Sequence, residues 1–147
     1  VGAAIVMREG GCLCGAVRYA VRGPLREILV CHCGECRRWS GRAWAATAAR
    51  TADLELRDDR ALVWVASPRS AHGASRGFCA SCGSSLFWRA PTFDRTSIAA
   101  GTLDDPGGLR VAAHIWVDSA TEWDRPPAGV PSFPRGYPED APPLAWS

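Results

Sequence analysis

Seven cysteines in a chain of 147 residues constrain this sequence more than any other feature. They are Cys12, Cys14, Cys31, Cys33, Cys36, Cys79 and Cys82, grouped as C-x-C, C-x-C-x-x-C and C-x-x-C. An odd number cannot all close as intramolecular disulfides, so metal or thiol chemistry in a reducing cytoplasm is expected. Structural zinc takes four tetrahedral ligands, often from two short cysteine turns, whereas catalytic zinc keeps three protein ligands and an open position. The seven thiols divide accordingly. Cys12 and Cys14 with Cys79 and Cys82 make a closed structural set that ties an N-terminal turn to a distant hairpin. Cys31, Cys33 and Cys36 come from one short segment and make a second, reactive set, so two zinc ions per chain are expected.

Charge supports distinct roles. Four thiolates leave a zinc centre with two net negative charges and three leave it with one, so the smaller set is the better Lewis acid for a fourth ligand. The same residues also admit other arrangements. All seven can serve structure with a histidine as an eighth ligand, Cys79 and Cys82 can form a redox pair, or the triple can hold a cluster.

The 17 basic residues are all arginine and lie scattered along the chain, against 15 acidic ones, for a formal charge of +2. A balance so close to neutral disfavours nucleic acid as a partner. The apolar runs fall far short of the ~20 residues that span a bilayer, and the start from Val1 to Met7 lacks a basic leader region, so no membrane partner is expected. Residues 1–9 read as an N-terminal extension or first strand, 10–125 as the zinc domain, and 126–147 as a proline-rich tail. Seven of the eleven prolines fall in that tail, while Val130, Phe133, Tyr137 and Trp146 give it anchors for partial packing on the domain.

Between these limits the pattern is that of short strands. Val17, Tyr19 and Val21 alternate with Arg18, Ala20 and Arg22, and Glu27 to Val30 runs straight into the second cysteine motif. Arg37 to Ser40 suits one helical turn stopped by Gly41. Strands are expected over 43–49, 54–56, 73–78, 85–88, 97–100 and 111–117, and over 61–65, whose apolar residues on both faces suggest full burial. Cys79 to Gly83 between two strands is the hairpin form of a zinc knuckle.

Taken in order, Gly11-Cys12-x-Cys14-Gly15, Cys31-His32-Cys33-x-x-Cys36-Arg37, Ser40-Gly41, Gly77-Phe78-Cys79-x-x-Cys82-Gly83, Gly101-Thr102-Leu103-Asp104-Asp105-Pro106 and His114-Ile115-Trp116 resemble the glutathione-dependent formaldehyde-activating enzyme family, also called the CENP-V/GFA domain. The resemblance implies a mainly β, Mss4-like β-tent fold of antiparallel sheets with zinc-binding turns. It implies a structural zinc on Cys12, Cys14, Cys79 and Cys82 and a catalytic zinc on Cys31, Cys33 and Cys36. The activity implied is S-(hydroxymethyl)glutathione synthesis from glutathione and formaldehyde, a carbon–sulfur lyase-type reaction. The alternative on the same fold is a non-catalytic zinc module that binds a protein or small-molecule partner, and a homodimer is compatible with either.

Beside the ligands, Arg37 and Arg38 are candidates to clamp the carboxylates of a glutathione-like thiol, and His32 is a candidate substrate contact. Extended geometry turns the His32 ring away from its cysteine neighbours, so it is not expected as a ligand. Glu35 is expected in solvent, Trp39 and Trp44 in packing, and Asp104 and Asp105 in a turn.

Overall fold

The computed structural model describes residues 7–147, so an extension ahead of Met7 lies outside the described residues. Among the described residues, ten strands form two sheets. The smaller orders β1 (Met7–Gly11), β2 (Arg18–Arg22) and β5 (Leu54–Asp58) antiparallel. The larger has seven strands in the order β10 (Val111–Ile115), β3 (Ile28–Cys31), β4 (Trp44–Arg50), β9 (Arg95–Ala99), β8 (Ser85–Arg89), β7 (Ser75–Cys79) and β6 (Leu62–Ala66). All its pairs are antiparallel except β10 with β3, which run parallel, so the large sheet is mixed. One helix, α1 (Gly34–Ser40), follows β3.

The main core lies between the sheets. Tyr19 and Val21 from the small sheet meet Leu86, Phe87 and Ile98 from the large one, with Tyr19 edge-on to Phe87 and Trp64 stacked on Phe87. Burying side chains of this size supplies about 1.5–3 kcal/mol each before conformational entropy is subtracted. Gly10 permits the closest approach of β1 and β2, because a Cβ there would sit 2.3 Å from the Tyr19 hydroxyl oxygen and 2.5 Å from the Thr102 carbonyl oxygen. The Tyr19 hydroxyl instead pairs with Thr102 Oγ1 at 2.8 Å.

Two expectations change. The 61–65 strand is not fully buried: β6 is an edge strand, with Leu62 and Trp64 turned to the core while Val63 and Val65 are exposed. Its apolar residues satisfy an edge position that has only one packed face. The helical turn begins three residues earlier than Arg37, because the Cys33 side chain caps it by accepting from the Cys36 N–H. Gly41, at φ 88°, ends it by donating to the Arg37 carbonyl. The tail is held at two places. Phe133 N–H donates to the His114 carbonyl, and Ser147 exchanges both backbone hydrogen bonds with Leu25.

Candidate metal centres

The first cysteine turn leaves β1 at Gly11 and re-enters the small sheet at Arg18. The Cys12 N–H donates to the Val17 carbonyl, and the Val17 N–H returns to Cys12 Sγ at 3.2 Å. The second turn joins β7 to β8. There the Gly83 N–H donates to the Cys79 carbonyl, and Gly83 holds φ 79°, a left-handed conformation that side chains rarely adopt. These two turns meet at the end of the core. The Sγ atoms of Cys12, Cys14, Cys79 and Cys82 all lie within 4.8 Å of one another. Cys12 and Cys14 are 3.6 Å apart and Cys14 and Cys79 3.9 Å apart, against the sulfur–sulfur edge of about 3.8 Å set by tetrahedral zinc–thiolate bonds. The set therefore fits a divalent ion with a complete ligand shell.

The second group is assembled locally. Cys31 ends β3, Cys33 caps α1 and Cys36 lies in its first turn, and their three Sγ atoms also fall within 4.8 Å of one another. Cys36 is buried while Cys31 and Cys33 are half-buried. Without a metal the three sulfurs share their protons unequally. Cys33 is pushed down to about 2 because the Cys31 and Cys36 thiols donate to it, helped by the Cys36 N–H and the charge of Arg76. Cys31 is pushed up, chiefly by the same contact with Cys33 and then by that with Cys36. Three cysteine sulfurs brought this close on one short segment suit a soft divalent metal.

The cross-strand register places this group on the outer face of the large sheet. Cys31 stands opposite Trp44, Ala46 opposite Ala99, Ala48 opposite Ser97, Ser97 opposite Trp88, and Trp88 opposite Arg76. Facing partners share a side. Small residues on β4 let α1 pack down, so that Cys36 lies against Trp44, Ala46 and Ala99, with Trp39 and Trp88 at the margin. Trp44 stands edge-on to Trp39, and its buried indole N–H has no hydrogen-bond acceptor among the described residues.

Of the candidate residues beside the ligands, His32 turns away from the cysteines. It is 3% exposed, and its Nε2 lies 2.8 Å from His114 Nδ1 on β10. Burial pushes both imidazoles below their ordinary range. Arg37 and Arg38 occupy the last turn of α1, half-buried and exposed respectively, with no carboxylate partner among the described residues. The Glu35 carboxylate accepts from the Arg69 N–H at 3.1 Å, which docks the loop after β6 onto the helix. Asp104 pairs with Arg18 at the rim of the small sheet.

The residue that sequence reasoning missed is Arg76. Its Nη1 and Nη2 both lie 3.7 Å from Cys36 Sγ, its Nε donates to Ser67 Oγ at 3.0 Å, and its guanidinium lies 5.1 Å from the centre of a Trp39 ring. Nothing in the chain's 17 scattered arginines marked this one. Its place depends on the β4–β9–β8 pairings, which carry the β7–β8 hairpin alongside the strands that hold α1.

Comparison with known proteins gives a family and a likeness of fold. The family described as glutathione-dependent formaldehyde-activating enzyme matches residues 7–119. A crystal structure of a Rhodobacter sphaeroides protein superposes with a TM-score of 0.55 at 23% identity, covering 70% of this chain and 98% of its own, a likeness of fold. No helix among the described residues is long and apolar enough to cross a membrane.

Proposed function

This chain belongs to the glutathione-dependent formaldehyde-activating enzyme family, and on that premise we propose that it joins a small thiol of the glutathione type to an aldehyde, as a carbon–sulfur lyase or synthase of S-(hydroxymethyl)glutathione. The observation that carries the reading is the inequality of the two cysteine groups. Four sulfurs complete a tetrahedral set at one, while three sulfurs, two of them half-buried and one buried, fall one ligand short at the other.

Cys12, Cys14, Cys79 and Cys82 would hold a structural zinc that pins the first turn to the hairpin. Cys31, Cys33 and Cys36 would hold the second, which when bound supplies Lewis acidity that keeps an incoming thiol ionised near neutral pH. The chain's own residues do the rest. Arg37 and Arg38 present fork-shaped donors beside the cysteine loop, and we assign them the carboxylates of the thiol. His32, tied to His114, fixes the peptide between Cys31 and Cys33 and sets the direction in which those sulfurs point. In the reaction the thiol loses its proton to solvent and its sulfur bonds to the carbonyl carbon. The carbon–oxygen π pair moves to oxygen, which takes up a proton, so thiol and aldehyde combine with nothing left over. Seven free thiols suit the reducing cytoplasm as the place of action.

The test is the exchange rate between formaldehyde and S-(hydroxymethyl)glutathione by magnetisation-transfer NMR, with and without protein. Acceleration over the spontaneous reaction that disappears in Cys33→Ser is expected. Calorimetry in buffers of different ionisation enthalpy should show about one proton released per glutathione bound and none for its S-methyl derivative. No acceleration and equal binding of the two compounds would leave a non-catalytic binding module as the better reading.

A further inference from the structure

Arg76 is a cation buried where a protein seldom leaves one without an acid. It is 5% exposed, and no carboxylate lies within ion-pair distance of it among the described residues. Burying an unpaired guanidinium is costly, and the cost is offset only where a counter-charge is present. Among the described residues, the group of anionic character set against Arg76 is the Cys36 sulfur, one of the three-cysteine group. Ser67, itself buried, holds the Nε edge, and the Trp39 ring covers one face. The guanidinium is thus fixed from two sides and aimed at the third.

The four-cysteine group differs. Its sulfurs receive neutral donors, the Val17 N–H at Cys12 and the Ser84 hydroxyl beside Cys82, and no side-chain cation donates to them among the described residues. Three thiolates around a divalent ion leave one net negative charge, which Arg76 cancels. Four thiolates leave two, with nothing set against them. A centre brought to neutrality accepts one more anion at far lower electrostatic cost than a centre already negative.

We infer that Arg76 is the specificity-determining residue of the three-cysteine centre, a positioning cation that makes its open place prefer an anionic fourth ligand, a thiolate, over a neutral one. The inference rests on the proposed function in placing the thiol at that centre. It adds the reason that a thiolate displaces water there despite three negative neighbours. The fork geometry matters as well as the charge: both terminal nitrogens share Cys36 Sγ, so one sulfur gives up electron density to Arg76 while the other two remain free of it.

The experiment uses protein loaded with cobalt(II), whose visible bands report the fourth ligand, titrated with 2-mercaptoethanol as the anionic ligand and imidazole as the neutral one. Arg76→Met should bind 2-mercaptoethanol at least about tenfold more weakly with imidazole affinity nearly unchanged, and Arg76→Lys should restore much of the difference. Ser67→Ala keeps the charge but frees its anchor, so it should lower the preference by roughly threefold, and it serves if Arg76→Met does not fold. Equal weakening of both ligands in Arg76→Met, or an unchanged preference in Ser67→Ala, would overturn the inference. A wild-type protein that binds imidazole but no thiol would overturn the proposed function along with it, whereas thiol binding indifferent to these substitutions would overturn the inference alone.

Discussion

Arg76 and Cys79 lie three residues apart on β7 and leave the large sheet on opposite faces. Cys79 faces the core beside Leu62 and Trp64, where it completes the four-cysteine group, while Arg76 shares the outer face with Trp88 and reaches Cys36. One five-residue strand therefore serves both candidate metal centres, and damage to one centre need not spread to the other.

Cys79→Ser is expected to unfold or aggregate the protein. Structural zinc contributes on the order of 10 kcal/mol to small zinc folds, against a net stability of about 5–15 kcal/mol for a domain. Cys33→Ser removes a ligand from the outer face and leaves the core untouched, so it should lose one metal and keep a cooperative melt. Thermal scans paired with metal analysis compare the two. Equal damage would show that the groups do not divide structure from chemistry in this way.

Metal release to a chelator should occur in two phases. The Cys31, Cys33, Cys36 group draws three ligands from one short segment with two half-buried sulfurs, while the other joins segments 65 residues apart. The fast phase, followed with a zinc-sensitive dye, should vanish in Cys33→Ser. A single phase in the wild-type protein would count against this order.

Acid should weaken the fold through the His32–His114 contact. Burial depresses both imidazole pKa values, so the folded protein keeps them neutral where the unfolded chain already takes up protons. The stability they contribute is then fully present above the unfolded value of about 6.5 and is lost as the pH falls below it. Two protonated rings would also place donor against donor across the 2.8 Å contact. Urea midpoints measured between about pH 7.5 and pH 5.5 with excess zinc should fall more steeply for wild type than for His114→Gln. Parallel slopes would remove the histidine pair as the cause.

Asp124→Ala should cost about 1–3 kcal/mol, measured by denaturant titration, because a buried acceptor is lost from a backbone donor. The Asp124 carboxylate accepts the Ala43 N–H at 3.0 Å and pairs with Arg42, which pins the segment entering the tail to the strand that carries Trp44. The backbone contact should dominate, since the Arg42 side chain is largely exposed and its ion pair is screened. Arg42→Ala should accordingly cost the smaller amount.

The sequence by itself determined the cysteine turns from which the candidate metal groups are built, because each turn is a local object. The spacing of Cys31, Cys33 and Cys36, or of Cys79 and Cys82 with Gly83, dictates which sulfurs can converge before any long-range contact forms. Strand positions from Arg18 to Ile115 were legible for a similar reason, since alternation and Gly or Pro breaks act over a few residues. Whether a strand is central or at an edge is not a local property. Ala61 to Val65 reads as buried until the pairing order leaves β6 with a single neighbour. Tertiary structure alone also decided which arginine faces the reactive sulfurs. Arg37 and Arg38 adjoin Cys36 in sequence, but among the described residues neither donates to a cysteine sulfur. Arg76, forty residues away, is brought to Cys36 by the register of β7 on β8 and by the packing of α1 on the small side chains of β4. A buried charge is placed by what surrounds it in space, and proximity along the chain carries little information about that.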